Sequence, residues 1–270
     1  MTDPDTTAPT DASTPHPHLR VERHGAVLTL TLTNAARRNA QTPTLWLAFA
    51  EVARALDPQV RVVVLRGEGQ SFSAGLDRGM LAPGGVEGEP DLVGLAVDGP
   101  DAAAEAIAAF QQGFAAWAEV PAVVVAAVQG HAIGAGFQLA LAADLRVVAD
   151  DVQLAMRETS LGLVPDLGGT GPLVAAVGPA RALEICATGR FVGAAEAVAT
   201  GLANVAVARD QLEAATADLV DALLAAPEAA LRELKPLLRG AASSGRDSQL
   251  QRERGAQGRL LHGLAGLVEG

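Results

Sequence analysis

Glu158 is an acid set between apolar residues: Met156 lies two positions before it, and the Leu161-Gly162-Leu163-Val164 run begins three positions after it. A carboxyl held against apolar groups resists ionisation, so its pKa rises and it can take and return a proton near neutral pH. Upstream, Gly130-His131-Ala132-Ile133-Gly134-Ala135-Gly136 makes a glycine-rich turn that opens a run of small residues. A second turn cluster, Pro165-Asp166-Leu167-Gly168-Gly169, comes after Glu158, and an earlier loop reads Ser71-Phe72-Ser73-Ala74-Gly75-Leu76-Asp77. Glycines let backbone N–H groups approach a ligand closely, and a helix start carries partial positive charge. Backbone donors beside one acid/base are the parts of a site for proton transfer.

Each part also has a plainer reading. The glycine turn could serve tight helix–strand packing, Asp77 could cap the segment after it, and Asp166 could cap a helix beginning near Gly168–Thr170. His131 reads as a packing or hydrogen-bonding residue, since no carboxylate partner is evident in sequence. Gly130, Gly134 and Gly136 do not give the G-x-G-x-x-G spacing of a dinucleotide site, and no Lys-Ser/Thr follows them as in a phosphate loop. Ser73 lacks the G-x-S-x-G context of a nucleophilic serine. His16, His18, His24 and His262 are scattered without metal-ligand spacing. Glu158 is the hardest of these to explain blandly.

The elements that must position these residues are legible in outline. Ala26–Thr33 and Val60–Leu65 alternate or run apolar as strands, and the second leads to the Ser71–Asp77 loop. Thr42–Leu56 has apolar residues at helical spacing, with Pro43 acceptable in the first turn. Met80–Pro100, rich in Gly, Pro and acids, reads as a mobile excursion. Ala102–Val120 reads as a helix, Val123–Val128 as a buried strand ending at the glycine turn, Gly136–Ala143 as a helix and Leu145–Val148 as a strand. Five helices then follow from Pro179 onward: Pro179–Thr188, Ala194–Thr200, Gln211–Ala225, Pro227–Arg239 and Ser248–Leu261. Twice a glycine loop follows a strand, which is where α/β proteins usually place ligands.

Composition narrows the classes of partner. The 270 residues are 49% hydrophobic and 19% charged, enough for a large core. The formal charge of −11 disfavours nucleic acid and anionic membrane as partners. Lys235 is the sole lysine, so arginine supplies the local positive charge. Cys186 is the single cysteine, which excludes an internal disulfide, and its setting suits a buried structural thiol. Residues 1–18 read as a disordered segment and not as a signal peptide. Val120–Val128 is too short to span a bilayer, and the expected location is cytoplasmic.

Three ordered blocks carry a family likeness: SFSAGLD, GHAIGAGFQLALAADLRVV and ETSLGLVPDLGGT. Together they resemble the crotonase superfamily, the enoyl-CoA hydratases and isomerases, over roughly Arg20 to Leu261. The resemblance implies an α/β fold, a crotonase-like spiral of ββα units over residues 19–203 with a C-terminal helical trimerisation region over 204–270. It also implies an acyl-CoA thioester as substrate, coenzyme A being part of that substrate, no separate cofactor or metal, and a homotrimer or homohexamer.

Carried across by position, the resemblance implies an oxyanion hole made by the backbone N–H groups of Leu76 and Ala135, and Glu158 as acid/base. It places Ser73, Ala74, Gly75, Asp77 and Gly134 against CoA and substrate, with Arg37 and Arg38 as phosphate contacts. A typical hydratase shares its attacking water between two glutamates; the second matches Glu158 and the first falls on Gln138. A glutamine amide can hold a water but cannot exchange its proton at neutral pH. Hydration is the family default, while a single base still supports isomerisation of an enoyl-CoA, with Gln138 orienting water or substrate. Asp166 matches an acid of dienoyl-CoA isomerases in the same family and could assist proton return. A non-catalytic acyl-CoA binder is the alternative that Gln138 leaves open. The family's tail usually continues past an acid–glycine pair into a basic, aromatic segment, so ending at Glu269-Gly270 implies no CoA contact from one.

Overall fold

The computed structural model describes residues 11–82 and 84–268. Most of the expected disordered lead-in and the terminal Glu269-Gly270 lie outside these residues, but Asp11–His16 forms strand β1, antiparallel to β2 (Leu19–His24). Pairing with a sheet edge satisfies backbone groups that composition says nothing about, and His16 Nε2 adds a bond of 3.1 Å to Thr44 Oγ1. β2 pairs antiparallel with β3 (Val27–Leu32). Helix α1 (Pro43–Arg54) then leads to β4 (Val62–Gly67), which runs parallel to β3.

The expected mobile excursion is in fact anchored. It contains a 3₁₀ turn over Arg78–Leu81 with Met80 fully buried, and α2 (Leu92–Val97), whose Asp91 side chain accepts from Val93 and Gly94 N–H. The Glu89 carboxylate accepts from Thr44 N–H at 2.9 Å and so caps α1 from a distance. Local glycine and proline content could not show that contact.

From α3 (Pro100–Glu119) onward the chain winds in repeating turns. Three strands join the large sheet, β5 (Val123–Val128), β7 (Leu145–Ala149) and β10 (Val205–Val207). Three short ones form a second sheet, β6 (His131–Ile133), β8 (Gln153–Ala155) and β9 (Val192–Gly193). The helices that close these turns are α4 (Ala135–Ala142), α5 (Thr170–Thr188) and α6 (Ala194–Ala199). The large sheet has the order β1-β2-β3-β4-β5-β7-β10, parallel from β3 onward. β5 lies between β4 and β7 and is buried on both faces, which is why its sequence, VVVAAV, is unbroken apolar.

Alternate residues of the strands face two cores. One face packs on α1, α3 and α4 through Phe49, Phe114, Trp117 and Phe137. The other, with Val62, Val64, Val125 and Val147, is covered by α7 (Leu212–Ala225) through Leu212 and Val220. Burying each such side chain contributes roughly 1.5–3 kcal/mol. Residues after 203 therefore contribute a strand and a helix to the body of the fold before α8 (Glu228–Ala241) and α9 (Arg246–Val268) pack together as a tail. Among the described residues no helix is long and apolar enough to cross a membrane.

Candidate active site

The Ser71–Asp77 loop runs as an irregular rung of the smaller sheet. On one side Ser73 bridges Ala132 of β6, with Ser73 N–H donating to His131 O and Ile133 N–H to Ser73 O. On the other, Gln41 N–H donates to Gly75 O and Asp77 N–H to Gln41 O. This alternation turns Leu76 N–H away from Gln41, towards the edge where β6 passes into α4. Ala135 is the first residue of α4, so its N–H has no acceptor within the helix. Among the described residues neither N–H finds an acceptor elsewhere.

Glycine is required for this approach. Gly75 has φ +83°, and a Cβ there would stand 2.2 Å from the Ile133 carbonyl oxygen and 3.3 Å from Ala135 N. Gly134 holds φ 53° and ψ −120°, a backbone state that side chains disfavour, and thereby starts α4 at the loop. Gly136 faces Ser73 O at a distance no methyl could occupy.

Glu158 opens a 3₁₀ turn after β8, with its carboxyl beside Gly134. Oε1 accepts from Gln138 Nε2 at 2.8 Å, whereas Oε2 is buried without a partner among the described residues. Burial pushes the Glu158 carboxyl above the usual carboxylate range, and the nearby Asp166 charge adds to this against the opposing hydrogen bonds. Burial likewise pushes Asp166 up. Two carboxyls of raised pKa thus share one region with backbone donors.

Gln138, on α4, is buried and bonded at both ends. Its Oε1 accepts from Leu167 N–H at 2.9 Å and Gly169 N–H at 3.2 Å. Asp166 does not cap α5: the N-cap position is Gly169, and no side chain caps that helix. Asp166 instead presents its backbone carbonyl to Gln111 Nε2 at 2.7 Å.

Other expected residues fall into separate roles. Ser73 is fully buried, and its hydroxyl donates to Asn39 O at 2.7 Å while accepting from Gln41 Nε2 and Gly75 N–H. It braces the loop from within, and Ala74, half-buried, is tied by its N–H to Arg38 O. Asp77 is buried; it accepts from Gly79 N–H and from Arg37 at 3.0 Å, so it does cap the turn after it. Arg37 and Arg38 are exposed at the outer end of the loop. His131 lies 3.3 Å from Ser71 Oγ and edge-on to Phe191. Cys186 is half-buried, with burial and then the Glu158 charge pushing its thiol up. Among the described residues no group of three His, Cys, Asp or Glu could hold a metal ion.

The sequence reading missed Asn39, Gln41 and Trp46, which hold the loop: Asn39 Nδ2 donates to Ser71 O, and Trp46 Nε1 to Gln41 Oε1. Their signal was a polar Asn-Ala-Gln inserted before an apolar helix, uninformative without its spatial partner.

Residues 22–264 match the family model described as enoyl-CoA hydratase/isomerase. The chain belongs to that family. Among curated relatives, the carnitinyl-CoA dehydratase of Escherichia coli K12 is 36% identical over 231 residues, 82% of this chain and 80% of the other. A candidate enoyl-CoA hydratase from Thermobifida fusca YX has a solved structure of TM-score 0.88 and 44% identity, covering 93% of this chain and 95% of that one. The same protein solved with acetoacetyl-CoA gives a TM-score of 0.86 and 45% identity, covering 94% and 96%. An enoyl-CoA hydratase from Polaromonas sp. JS666 gives 0.80 and 30%, covering 93% and 96%. The winding of ββα turns described above is the crotonase fold.

Proposed function

We propose that this chain acts on an acyl-CoA thioester by forming an enolate, with Glu158 as the acid/base. The carrying observation is the buried, unpartnered Oε2 of Glu158 beside the glycine loop that presents Ala135 N–H. Leu76 and Ala135 N–H would receive the thioester oxygen as charge develops on it, each donor contributing on the order of 3 kcal/mol to the transition state. Arg37 and Arg38, exposed at the outer end of the loop, would meet phosphates of the CoA, which would enter as part of the substrate with no separate cofactor. The likeness to a structure holding acetoacetyl-CoA supports this class of ligand.

Among reactions open to such a site, the geometry favours moving a double bond. Gln138 has its oxygen committed to two backbone N–H groups and one amide hydrogen committed to Glu158, so it is poorly placed to activate a water. One carboxyl can lift a proton from one carbon and return it to another, and Asp166, whose charge acts on Glu158, would assist the return. The second reading is hydration or its reverse, with Asp166 as the second carboxyl; the names of the relatives support it.

Incubation with 2-enoyl-, 3-enoyl-, dienoyl- and 3-hydroxyacyl-CoA, followed by mass spectrometry, separates the two. Isomerisation leaves the mass unchanged, while hydration adds and dehydration removes a water. Glu158→Gln is expected to abolish turnover and keep acyl-CoA affinity. Tight binding without turnover by the unaltered protein would instead leave a non-catalytic acyl-CoA binder.

A further inference from the structure

Gln138 has a more specific place in this site than holding water. Its two backbone contacts, Leu167 N–H and Gly169 N–H, are donors, so they fix the oxygen end of the amide and leave the NH₂ facing Glu158. The side chain is 1% exposed and cannot swing away. Gly169 closes the frame, since a Cβ there would lie 2.6 Å from Gln138 Cγ. On the far side a Cβ on Gly134 would stand 3.3 Å from Glu158 Oε1. One carboxylate oxygen is thus boxed in. Whichever oxygen takes that place, the other is left as the atom that can exchange a proton.

We propose that Gln138 is a positioning residue that sets the plane of the Glu158 carboxyl and ties the Asp166 loop to it. It rests on the reading of Glu158 as the acid/base. Through one amide the loop from Asp166 to Gly169, the start of α5 and the 3₁₀ turn of Glu158 are held in register. The titratable groups facing Glu158 are Asp166 in that loop and Cys186 on α5, while α4 contributes only the neutral Gln138.

Gln138→Glu tests this with almost no change of size. The new side chain keeps an acceptor for the two backbone N–H groups but replaces the donor by a second carboxyl oxygen at the 2.8 Å contact. Two carboxyl oxygens so close must share a proton, so the pair should lose that proton only at higher pH. The acid limb of the kcat/KM profile is expected to move up by about one pH unit or more. Carbon NMR of the Glu158 carboxyl, assigned by its disappearance in Glu158→Gln, should show the same displacement without any substrate. Gln138→Met, which loses donor and acceptor together, should lower kcat by about tenfold or more with acyl-CoA binding retained. An unmoved Glu158 titration in Gln138→Glu, or a wild-type kcat in Gln138→Met, would overturn the proposal. Absence of turnover in the unaltered protein would remove the reading of Glu158 as the acid/base, while the NMR titration would still decide the role of Gln138.

Discussion

At the scale of residues, the same burial that suits Glu158 to proton transfer sets a cost on the fold. Its carboxyl is pushed up by burial, so the folded protein holds the proton more tightly than the unfolded chain does. That grip stabilises the fold at low pH and is lost as pH rises through the raised value; above it, a charge must be kept out of water. Glu158→Gln removes the charge and still offers an oxygen to the Gln138 amide. The variant is therefore expected to melt at a higher temperature than wild type at pH 8, with the gap narrowing as pH falls towards the ordinary carboxylate range. Thermal melts across that range check the sign. A gap that widened on acidification would contradict the burial argument. The acidity of Glu158 was readable from its apolar neighbours, but the direction of its carboxyl was not, because Gln138 and the Leu167–Gly169 backbone meet it only in space.

At the scale of elements, helices and buried strands were legible where one pattern ruled a long stretch. Val123–Val128 was read with its observed limits, because a strand buried on both faces shows an unbroken apolar run. The three short strands β6, β8 and β9 were not legible; each has three residues or fewer and owes its state to its neighbours. The first half of α5 was missed for a local reason, since Gly178 at φ +75° and Pro179 break the helical pattern there. Lys235 shows a tether equally invisible in sequence. Its ammonium donates to Trp117 O at 3.0 Å and Ala122 O at 2.8 Å, and pairs with Asp144 at 2.9 Å, fastening α8 to the end of α3 and the start of β5. Lys235→Met would leave two carbonyls and a largely buried carboxylate short of a donor, although Arg239 still reaches Asp144. The expected loss is about 3 kcal/mol, the low end for breaking a buried pair. Denaturant titration should show it, with turnover at low temperature little changed because the site residues are elsewhere.

At the scale of the whole molecule, the tail leaves apolar side chains in water at helical spacing. Leu234 and Leu238 lie one turn apart on α8, the second 65% exposed, and Leu261 and Leu264 lie one turn apart on α9 at 55% and 59%. Single exposed leucines are ordinary, but repeated pairs on two packed helices are the kind of surface that association covers. This supports the expectation that the chain assembles with copies of itself through its C-terminal helices, as three or six. Light scattering on the purified protein at micromolar concentration should give the mass of such a particle. Replacing Leu261 and Leu264 together by Glu would force charges into any interface formed there, while leaving the sheet and Glu158 untouched. The double variant is expected to fall to a single chain with its far-UV circular dichroism preserved. A wild-type protein that already runs as one chain, or a double variant whose mass is unchanged, would show that these leucines face water for some other reason.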